Sequence, residues 1–160
     1  TSFVPTGAEA TIGHVRQGAL TAGRDPSKID YQAGGAVQFS DDIERLLAPR
    51  RPGIAFTLGA MGSPKTNFYN DAFKRAGYAE AAEEVQALWV SGDKEAAIRA
   101  VSDEMVLKTN LIGTREMIVE RIKAYAAAGV TTLRISTSGR NWRERTETLA
   151  EATDLIHSIQ

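Results

Sequence analysis

Hydrophobic residues recur at helical spacing in several stretches of the chain, and short runs of strand-forming residues lie between them. The first helical stretch covers residues 8–22 and places Ile12 and Ala19 on one side. Gly23 and Pro26 come after it. Because glycine commonly follows the last residue of a helix and proline cannot continue one, the pattern predicts a helix that stops at this point.

Residues 31–39 have a different pattern, in which aromatic and β-branched side chains are separated by alanine and glycine. This pattern predicts a strand. Ser40, Asp41 and Asp42 follow and are typical of a helix N-terminus, where side-chain oxygens accept hydrogen bonds from free backbone N–H groups. We therefore predict a strand that leads directly into a helix.

Residues 41–110 contain almost no strand pattern. The segment carries several short helical patterns that are interrupted by proline and glycine, which break helices. Two of these patterns are well defined: residues 78–89, with Val85 and Trp89 as apolar contacts, and residues 94–101. We predict that residues 41–110 form a helical insertion.

The clearest unit of the sequence begins at Thr114, which is predicted to cap a helix. Ile118 lies on the apolar stripe of that helix, and Gly129 is predicted to end it. Residues 131–136 then have the composition of a strand, and residues 142–159 return to helical spacing. Helix, tight turn, strand and helix are typical of an α/β protein.

The predicted order of elements is strand, helix, strand, helical insertion, strand and helix, because residues 1–5 resemble the end of a strand. Such alternation favours parallel pairing through crossover connections. Three strands, the first of them clipped, cannot close a barrel and would leave sheet edges and one apolar face uncovered. We expect either a preceding part of the chain that completes the sheet or a small open α/β domain.

The composition excludes several classes of partner. Hydrophobic residues make up 42% of the chain and charged residues 24%, which is typical of a soluble globular protein. Nineteen Lys and Arg against twenty Asp and Glu leave a formal charge of −1, so charge gives no reason to expect nucleic acid or an anionic membrane. No apolar run reaches the roughly 18 to 20 residues of a membrane helix. The absence of cysteine excludes disulfides and agrees with a cytoplasmic location.

Motifs for metals and dinucleotides are missing from the sequence. His14 and His157 lie in predicted helices without a second ligand at metal-binding spacing, so no metal site is expected. Gly34 and Gly35 do not belong to a GxGxxG pattern, which disfavours a Rossmann site. We interpret these two glycines as positions where two backbones approach closely.

Three stretches of the sequence carry a resemblance to one known family. Residues 112–133 read IGTREMIVERIKAYAAAGVTTL, and residues 59–78 contain GAMGS, NFYN and RAGY. Residues 23–42 begin with GRDP and end with SDD around the predicted strand. Together these stretches resemble the luciferase-like oxidoreductases, especially the branch that uses the deazaflavin coenzyme F420.

The resemblance implies that the chain is the C-terminal half of a bacterial-luciferase-like TIM (β/α)8 barrel. Residues 1–5, 31–39 and 131–136 would be strands six, seven and eight, with the helical insertion between the last two. Residues 1–160 would then be a single domain fragment. The first five strands, which hold much of the family's coenzyme-binding and proton-transfer machinery, would be absent, so no catalytic acid or base is assigned.

For function, the resemblance implies a cytoplasmic, homo-oligomeric oxidoreductase that transfers hydride between coenzyme F420 and a small-molecule organic substrate. Its other partner would be the N-terminal half of the same barrel. One alternative is an FMN-dependent, oxygen-using monooxygenase of the same superfamily. A second alternative is a noncatalytic ligand-binding domain that has this fold and has lost the redox site.

Active sites of (β/α)8 barrels form at the carboxyl ends of the strands. At the first such end, the hydroxyls of Thr1 and Ser2 are candidates for binding substrate or phosphate oxygens, and their alternative role is in a turn. At the last end, Thr137, Arg140 and Arg143 are candidates for the same role beside a glycine and a helix N-terminus. The alternative is that these arginines are solvated or pair with two nearby glutamates, which are Glu144 and Glu147.

Two further sets of residues are candidates. Strand alternation places Arg134 on a polar face that would point into the barrel, where a charge requires a ligand or a carboxylate partner from the missing half. In the insertion, Asn67 and Tyr69 could form a pocket wall or lid. Simple packing is the alternative for this second pair.

Overall fold

Short parallel strands and α-helices alternate along the protein in a computed structural model that describes residues 4–63 and 65–159. The strands are β1 Gln32–Ala33, β2 Ala36–Phe39, β3 Leu111–Gly113, β4 Thr132–Leu133 and β5 Ser136–Thr137. The helices are α1 Ala8–Thr21, α2 Ile43–Leu47, α3 Arg51–Ala60, α4 Phe68–Phe73, α5 Ala79–Ser91, α6 Lys94–Ala100, α7 Asp103–Lys108, α8 Arg115–Ala127 and α9 Trp142–Ile159. Two 3-10 turns, Pro5–Gly7 and Pro26–Lys28, and a π-helical turn, Lys74–Tyr78, complete the elements.

β1 and β2 are two parts of one extended segment, separated only by Gly34 and Gly35. We call this segment the central strand, because the other strands pair with it. β1 pairs in parallel with β4, and β2 pairs in parallel with β5 on one side and with β3 on the other. The predicted parallel α/β class is therefore confirmed. The order β3-β2-β5 differs from that of a closed barrel, in which strands that follow one another in the chain are neighbours.

Gly34 and Gly35, between β1 and β2, allow neighbouring backbones to come unusually near. Gly34 has a φ of 153°, and a Cβ atom added to it would overlap the carbonyl oxygen of Arg134. A Cβ atom on Gly35 would lie 2.5 Å from the carbonyl oxygen of Thr109. The interpretation of these glycines as points of close backbone approach is confirmed.

The predicted helix ends agree with the structure. The Thr114 side chain accepts a hydrogen bond of 3.3 Å from the N–H of Met117 and caps α8. Gly129 follows the end of α8 with a φ of 90°, a conformation that favours glycine. The helices predicted over residues 8–22, 78–89, 94–101 and 142–159 are α1, α5, α6 and α9.

Two hydrophobic cores lie on opposite faces of the sheet. One packs the inward side chains of the sheet, such as Val37 and Leu111, against Ile118 of α8 and Leu155 of α9. The other fills the helical segment between β2 and β3 and includes Ile112; its fully buried large side chains are Leu46, Leu47, Leu58, Phe73, Val85, Val101 and Met105. Adjacent residues of β3 therefore face different cores.

The structure contains one strand that the sequence pattern did not predict. β3 is only three residues long, and all three are buried. Because cores cover both of its faces, β3 lacks the alternation of apolar and polar residues that identifies a half-buried strand.

Of the strand end predicted over residues 1–5, only Val4 and Pro5 are described, so it stays a prediction. Val4 has extended backbone angles, but Pro5 begins a 3-10 turn in which the N–H of Gly7 donates to the carbonyl oxygen of Val4 at 3.0 Å. Proline favours this position because its φ is already near the helical value and it has no N–H to leave unpaired. Thr1, Ser2 and Phe3 lie outside the described residues.

Within the described ranges, no helix combines the length and the apolar character needed to cross a membrane.

The glycine contact predicts a large effect of one added methyl group. We expect Gly34→Ala to lower the free energy of unfolding by about 3 kcal/mol, because it combines a strained φ with overlap at the Arg134 carbonyl. Chemical denaturation of the full-length protein measures this change. Gly18→Ala is the matched control: Gly18 is exposed within α1 with open space around its Cα, so alanine should stabilise the helix by about 0.5 to 1 kcal/mol. Equal stabilities of the two variants would contradict the proposed role of Gly34.

Candidate functional site

The carboxyl ends of the paired strands lie along one edge of the sheet, because the strands are parallel. β2 ends at Phe39, β3 at Gly113 and β5 at Thr137. The N–H of Ser40 donates to the carbonyl oxygen of Gly113 at 3.0 Å and joins two of these ends. A cleft of about 310 Å³ opens nearby; its lining residues are Gln38, Phe39, Ser138, Gly139, Glu144, Glu147, Thr148 and Glu151.

Side chains of the loop after β5 bind groups in the first turn of α9. The guanidinium of Arg140 lies 2.8 Å from the Glu144 carboxylate, which also accepts a hydrogen bond of 2.9 Å from the Arg140 N–H. The Asn141 side chain accepts from the N–H of Glu144 at 3.0 Å. Hydrogen bonds from Arg140 hold the pKa of the Glu144 carboxyl below its usual value. Glu144 thus occupies the place that an anionic ligand would take.

The second arginine of this loop is also close to a carboxylate. Arg143 lies 3.6 Å from Glu147, and both side chains are largely exposed. Both arginines therefore adopt the alternative considered from the sequence, in which they pair with Glu144 and Glu147. Three glutamates border the cleft, and each pairs with an arginine: Glu144 with Arg140, Glu147 with Arg143 and Glu151 with Arg115.

Arg134 has a different environment on the polar face of the sheet. Thr132, Arg134 and Ser136 are exposed, whereas Leu133 and Ile135 pack against the core under α8 and α9. The predicted alternation is confirmed. Within the described residues Arg134 has no ion pair, and it borders a cleft of about 260 Å³ whose lining residues are Gln32, Ala33, Gly34, Gly35, Arg134, Ile135 and Ser136. This cleft carries a single, positive charge.

Asn67 and Tyr69 lie where α3 ends and α4 begins. The Asn67 amide donates to the carbonyl oxygens of Thr57 at 3.1 Å and Leu58 at 2.7 Å, and its oxygen accepts from the N–H groups of Tyr69 and Asn70. Asn67 is buried and thus satisfies the free backbone groups of two helix ends at once. Tyr69 is half-buried, and its ring lies 4.1 Å from that of Phe68.

Several residues at the edge of the sheet were not selected from the sequence. Gln38, Glu144 and Glu151 all border the cleft at the strand ends. The sequence offered Glu144 only as an alternative ion-pair partner of the arginines, because it lies four residues after Arg140. Glu151 pairs with Arg115 of α8 at 3.2 Å, a contact between residues far apart in sequence that no local pattern indicates.

Within the described part of the chain, no group of three or more His, Asp or Glu residues is placed to hold a metal ion.

Comparison with known proteins gives two kinds of sequence match. The family model described as luciferase-like monooxygenase matches residues 1–132. A Mycobacterium tuberculosis protein, provisionally named a coenzyme F420-dependent oxidoreductase, is 32% identical over 117 residues, which is 72% of this chain and 34% of the relative. The 5,10-methylenetetrahydromethanopterin reductase of Methanopyrus kandleri is 27% identical over 79% of this chain and 35% of its own length. The chain thus spans about a third of the curated relatives it matches.

A solved structure also resembles the fold. The coenzyme F420-dependent tetrahydromethanopterin reductase from Methanopyrus kandleri aligns with a TM-score of 0.68 and 23% identity, covering 98% of this chain and 43% of that chain. The reductase is a luciferase-like TIM barrel, so the described fold corresponds to part of such a barrel.

The contacts of Asn67 predict that this residue stabilises the insertion. We expect Asn67→Ala to lower the free energy of unfolding by about 2 kcal/mol, because it removes a helix cap and leaves buried carbonyl groups with fewer donors. Denaturant unfolding of the full-length protein measures this change. Tyr69→Phe is the control and should stay within about 0.5 kcal/mol, because the Tyr69 hydroxyl makes no hydrogen bond within the described residues. A larger loss for Tyr69→Phe than for Asn67→Ala would reverse this assignment.

Proposed function

This chain belongs to the luciferase-like monooxygenase family, and we propose that the protein containing it transfers hydride between coenzyme F420 and a small organic substrate. The match over 72% of the chain to a relative named for F420-dependent oxidation and reduction carries this proposal. The coenzyme, when bound, supplies the hydride chemistry, and the protein binds and orients the reactants. The identity of the substrate is left open by this proposal.

Arg134 is the described residue that best fits a negatively charged part of the coenzyme or substrate. Its guanidinium is exposed, borders a cleft and has no carboxylate partner among the described residues. Arginine can offer paired hydrogen bonds to a phosphate or carboxylate in such a position. Gln32 and Ser136, which border the same cleft, add polar groups that can position the ligand.

Other parts of the proposed site are less complete. The clefts of this chain are at the lower end of the roughly 300–1,000 Å³ of typical ligand pockets, so we propose that further strands of the same barrel supply the remaining walls. The free edges of β3 and of β4 and β5 are suitable places for such strands to pair. Further proposed contacts are Thr137 at the end of β5, Arg143 in the first turn of α9, where it would leave Glu147, and Tyr69 in the insertion.

The second candidate function is an FMN-dependent, oxygen-using monooxygenase. It is favoured by the description of the matching family model, which names a monooxygenase. The two candidates differ in the coenzyme that binds and in the need for oxygen, so they can be separated by experiment.

Coenzyme binding tests the main proposal directly. Titration of the full-length protein with F420, followed by the fluorescence of the coenzyme, should show saturable binding in the micromolar range or tighter, whereas FMN should bind at least about tenfold more weakly. Substrate turnover with F420 should proceed without oxygen. Tight FMN binding with oxygen consumption would favour the monooxygenase, and binding of neither coenzyme would overturn both candidates.

The role of Arg134 predicts a difference between two matched substitutions. Arg134→Gln should weaken binding of F420 or of an anionic substrate about tenfold or more, because it removes charge-assisted hydrogen bonds. Arg140→Gln removes the same charge from an arginine that already pairs with Glu144, and should change the affinity much less. The same titrations measure both variants. Equal losses would argue against a direct contact by Arg134.

A further inference from the structure

A second cleft lies between the sheet and the helical insertion. It has a volume of about 390 Å³, and its lining residues are Gly34, Gly35, Pro49, Arg50, Gly53, Ile54, Thr57, Thr109 and Asn110. It shares Gly34 and Gly35 with the cleft that Arg134 borders. Among the described residues, no acidic side chain lines this second cleft, and Arg50 is the one charged residue that does.

The position of the Arg50 side chain is fixed by two neutral groups. One guanidinium nitrogen donates to the carbonyl oxygen of Leu46 at 2.6 Å, and the other terminal nitrogen donates to the Gln38 side chain at 3.0 Å. A guanidinium has five N–H donors, so these two bonds leave others available. The side chain is half-buried, and this burial lowers the pKa of Arg50. A partly desolvated positive charge is thus held in a cleft without a carboxylate.

The nearby carboxylates pair with the next residue, Arg51, and not with Arg50. Arg51 pairs with Glu44 at 3.1 Å and also with Asp103. The first turn of α3 contains no acidic residue, and no side chain caps that helix. Adjacent arginines therefore differ in a simple way: Arg51 has two carboxylate partners, and Arg50 has none among the described residues.

We infer that the Arg50 cleft binds an oxyanion, of which a phosphate group is the ligand we test. A phosphate oxygen can accept the free guanidinium hydrogen bonds and neutralise a charge that is costly to bury unpaired. The Thr57 hydroxyl already donates to the Gly53 carbonyl, and the Asn110 amide donates to Val106 and Thr109, so Arg50 would be the main donor to the anion. This cleft adjoins the proposed coenzyme contact at Arg134, because Gly34 and Gly35 line both clefts, but its test needs no bound coenzyme.

Protection from chemical modification tests this site on the unaltered protein. The full-length protein, without coenzyme, is treated with the arginine reagent phenylglyoxal in inorganic phosphate or in sodium chloride of equal ionic strength. Digestion with a protease that does not cleave at arginine, followed by mass spectrometry, gives the rate at each arginine. We expect phosphate to slow modification of Arg50 severalfold and to leave the exposed Arg99 unchanged.

Calorimetric titration with inorganic phosphate gives a second measurement. Arg50→Gln should weaken phosphate binding about tenfold or more, whereas Arg99→Gln, the same change at a surface arginine, should leave it unchanged. Equal modification of Arg50 in phosphate and chloride would overturn the inference, as would unchanged phosphate affinity of Arg50→Gln. If Arg50→Gln does not fold, the modification rates of the unaltered protein still decide the question.

A phosphate ester distinguishes two sources of the anion. Glycerol 3-phosphate carries the same group as part of a larger molecule and is used in place of inorganic phosphate. Stronger protection of Arg50 by the ester would identify the ligand as an organic phosphate, and equal protection would identify the free ion. Both results support the site, and a failure here leaves the F420 proposal untouched because no coenzyme is present.

Discussion

Close contact between backbones at Gly34 and Gly35 is the constraint on which the described structure depends. The N–H of Arg134 donates to the Ala33 carbonyl at 2.8 Å, and the N–H of Ser136 donates to the Gly35 carbonyl at 3.1 Å. These bonds continue the pairing with β4 and β5 across the break at Gly34 and Gly35, which separates β1 from β2. On the other side, the Thr109 carbonyl, just before β3 begins, would lie 2.5 Å from a Cβ atom on Gly35. Because Gly34 and Gly35 have no side chains, the backbones on both sides of the central strand can approach it closely.

Both hydrophobic cores follow from this central pairing. The contact with β4 and β5 brings α8 and α9 onto one face of the sheet, where Tyr125 and Leu155 are buried. The contact with β3 places Ile112 in the core of the insertion. Two of the clefts also lie at this break in the central strand, because Gly34 and Gly35 line both of them. Arg134 and Arg50 border these two clefts.

Most of the helices could be predicted from the sequence, and so could the two strand segments over residues 31–39 and 131–136. Thr114 and Gly129 mark the ends of α8 through local chemistry, which operates within one or two turns of chain and can be recognised without tertiary structure. β3 was missed for two reasons. Its position depends on pairing with a strand more than 70 residues earlier, and its residues are apolar or small on both faces because both faces are buried. The 3-10 turn that begins at Pro5 was not predicted, because an apolar stretch ending in proline is compatible both with a strand end and with the start of a helical turn.

Predictability of the candidate site depended on the range of the interactions. Arg140 and Glu144, like Arg143 and Glu147, are four residues apart at the start of α9, so the sequence could offer these pairs as an alternative to ligand binding. No such rule applies to Arg50 and Arg51, which are adjacent in sequence. Arg51 meets Asp103 through tertiary contact alone, and Arg50 meets only uncharged acceptors. An arginine without a carboxylate partner can be recognised only when the positions of the carboxylates are known. In the described part of this fold, the candidate anion-binding arginines are therefore those beside Gly34 and Gly35 in the central strand, and not those in the loop after β5.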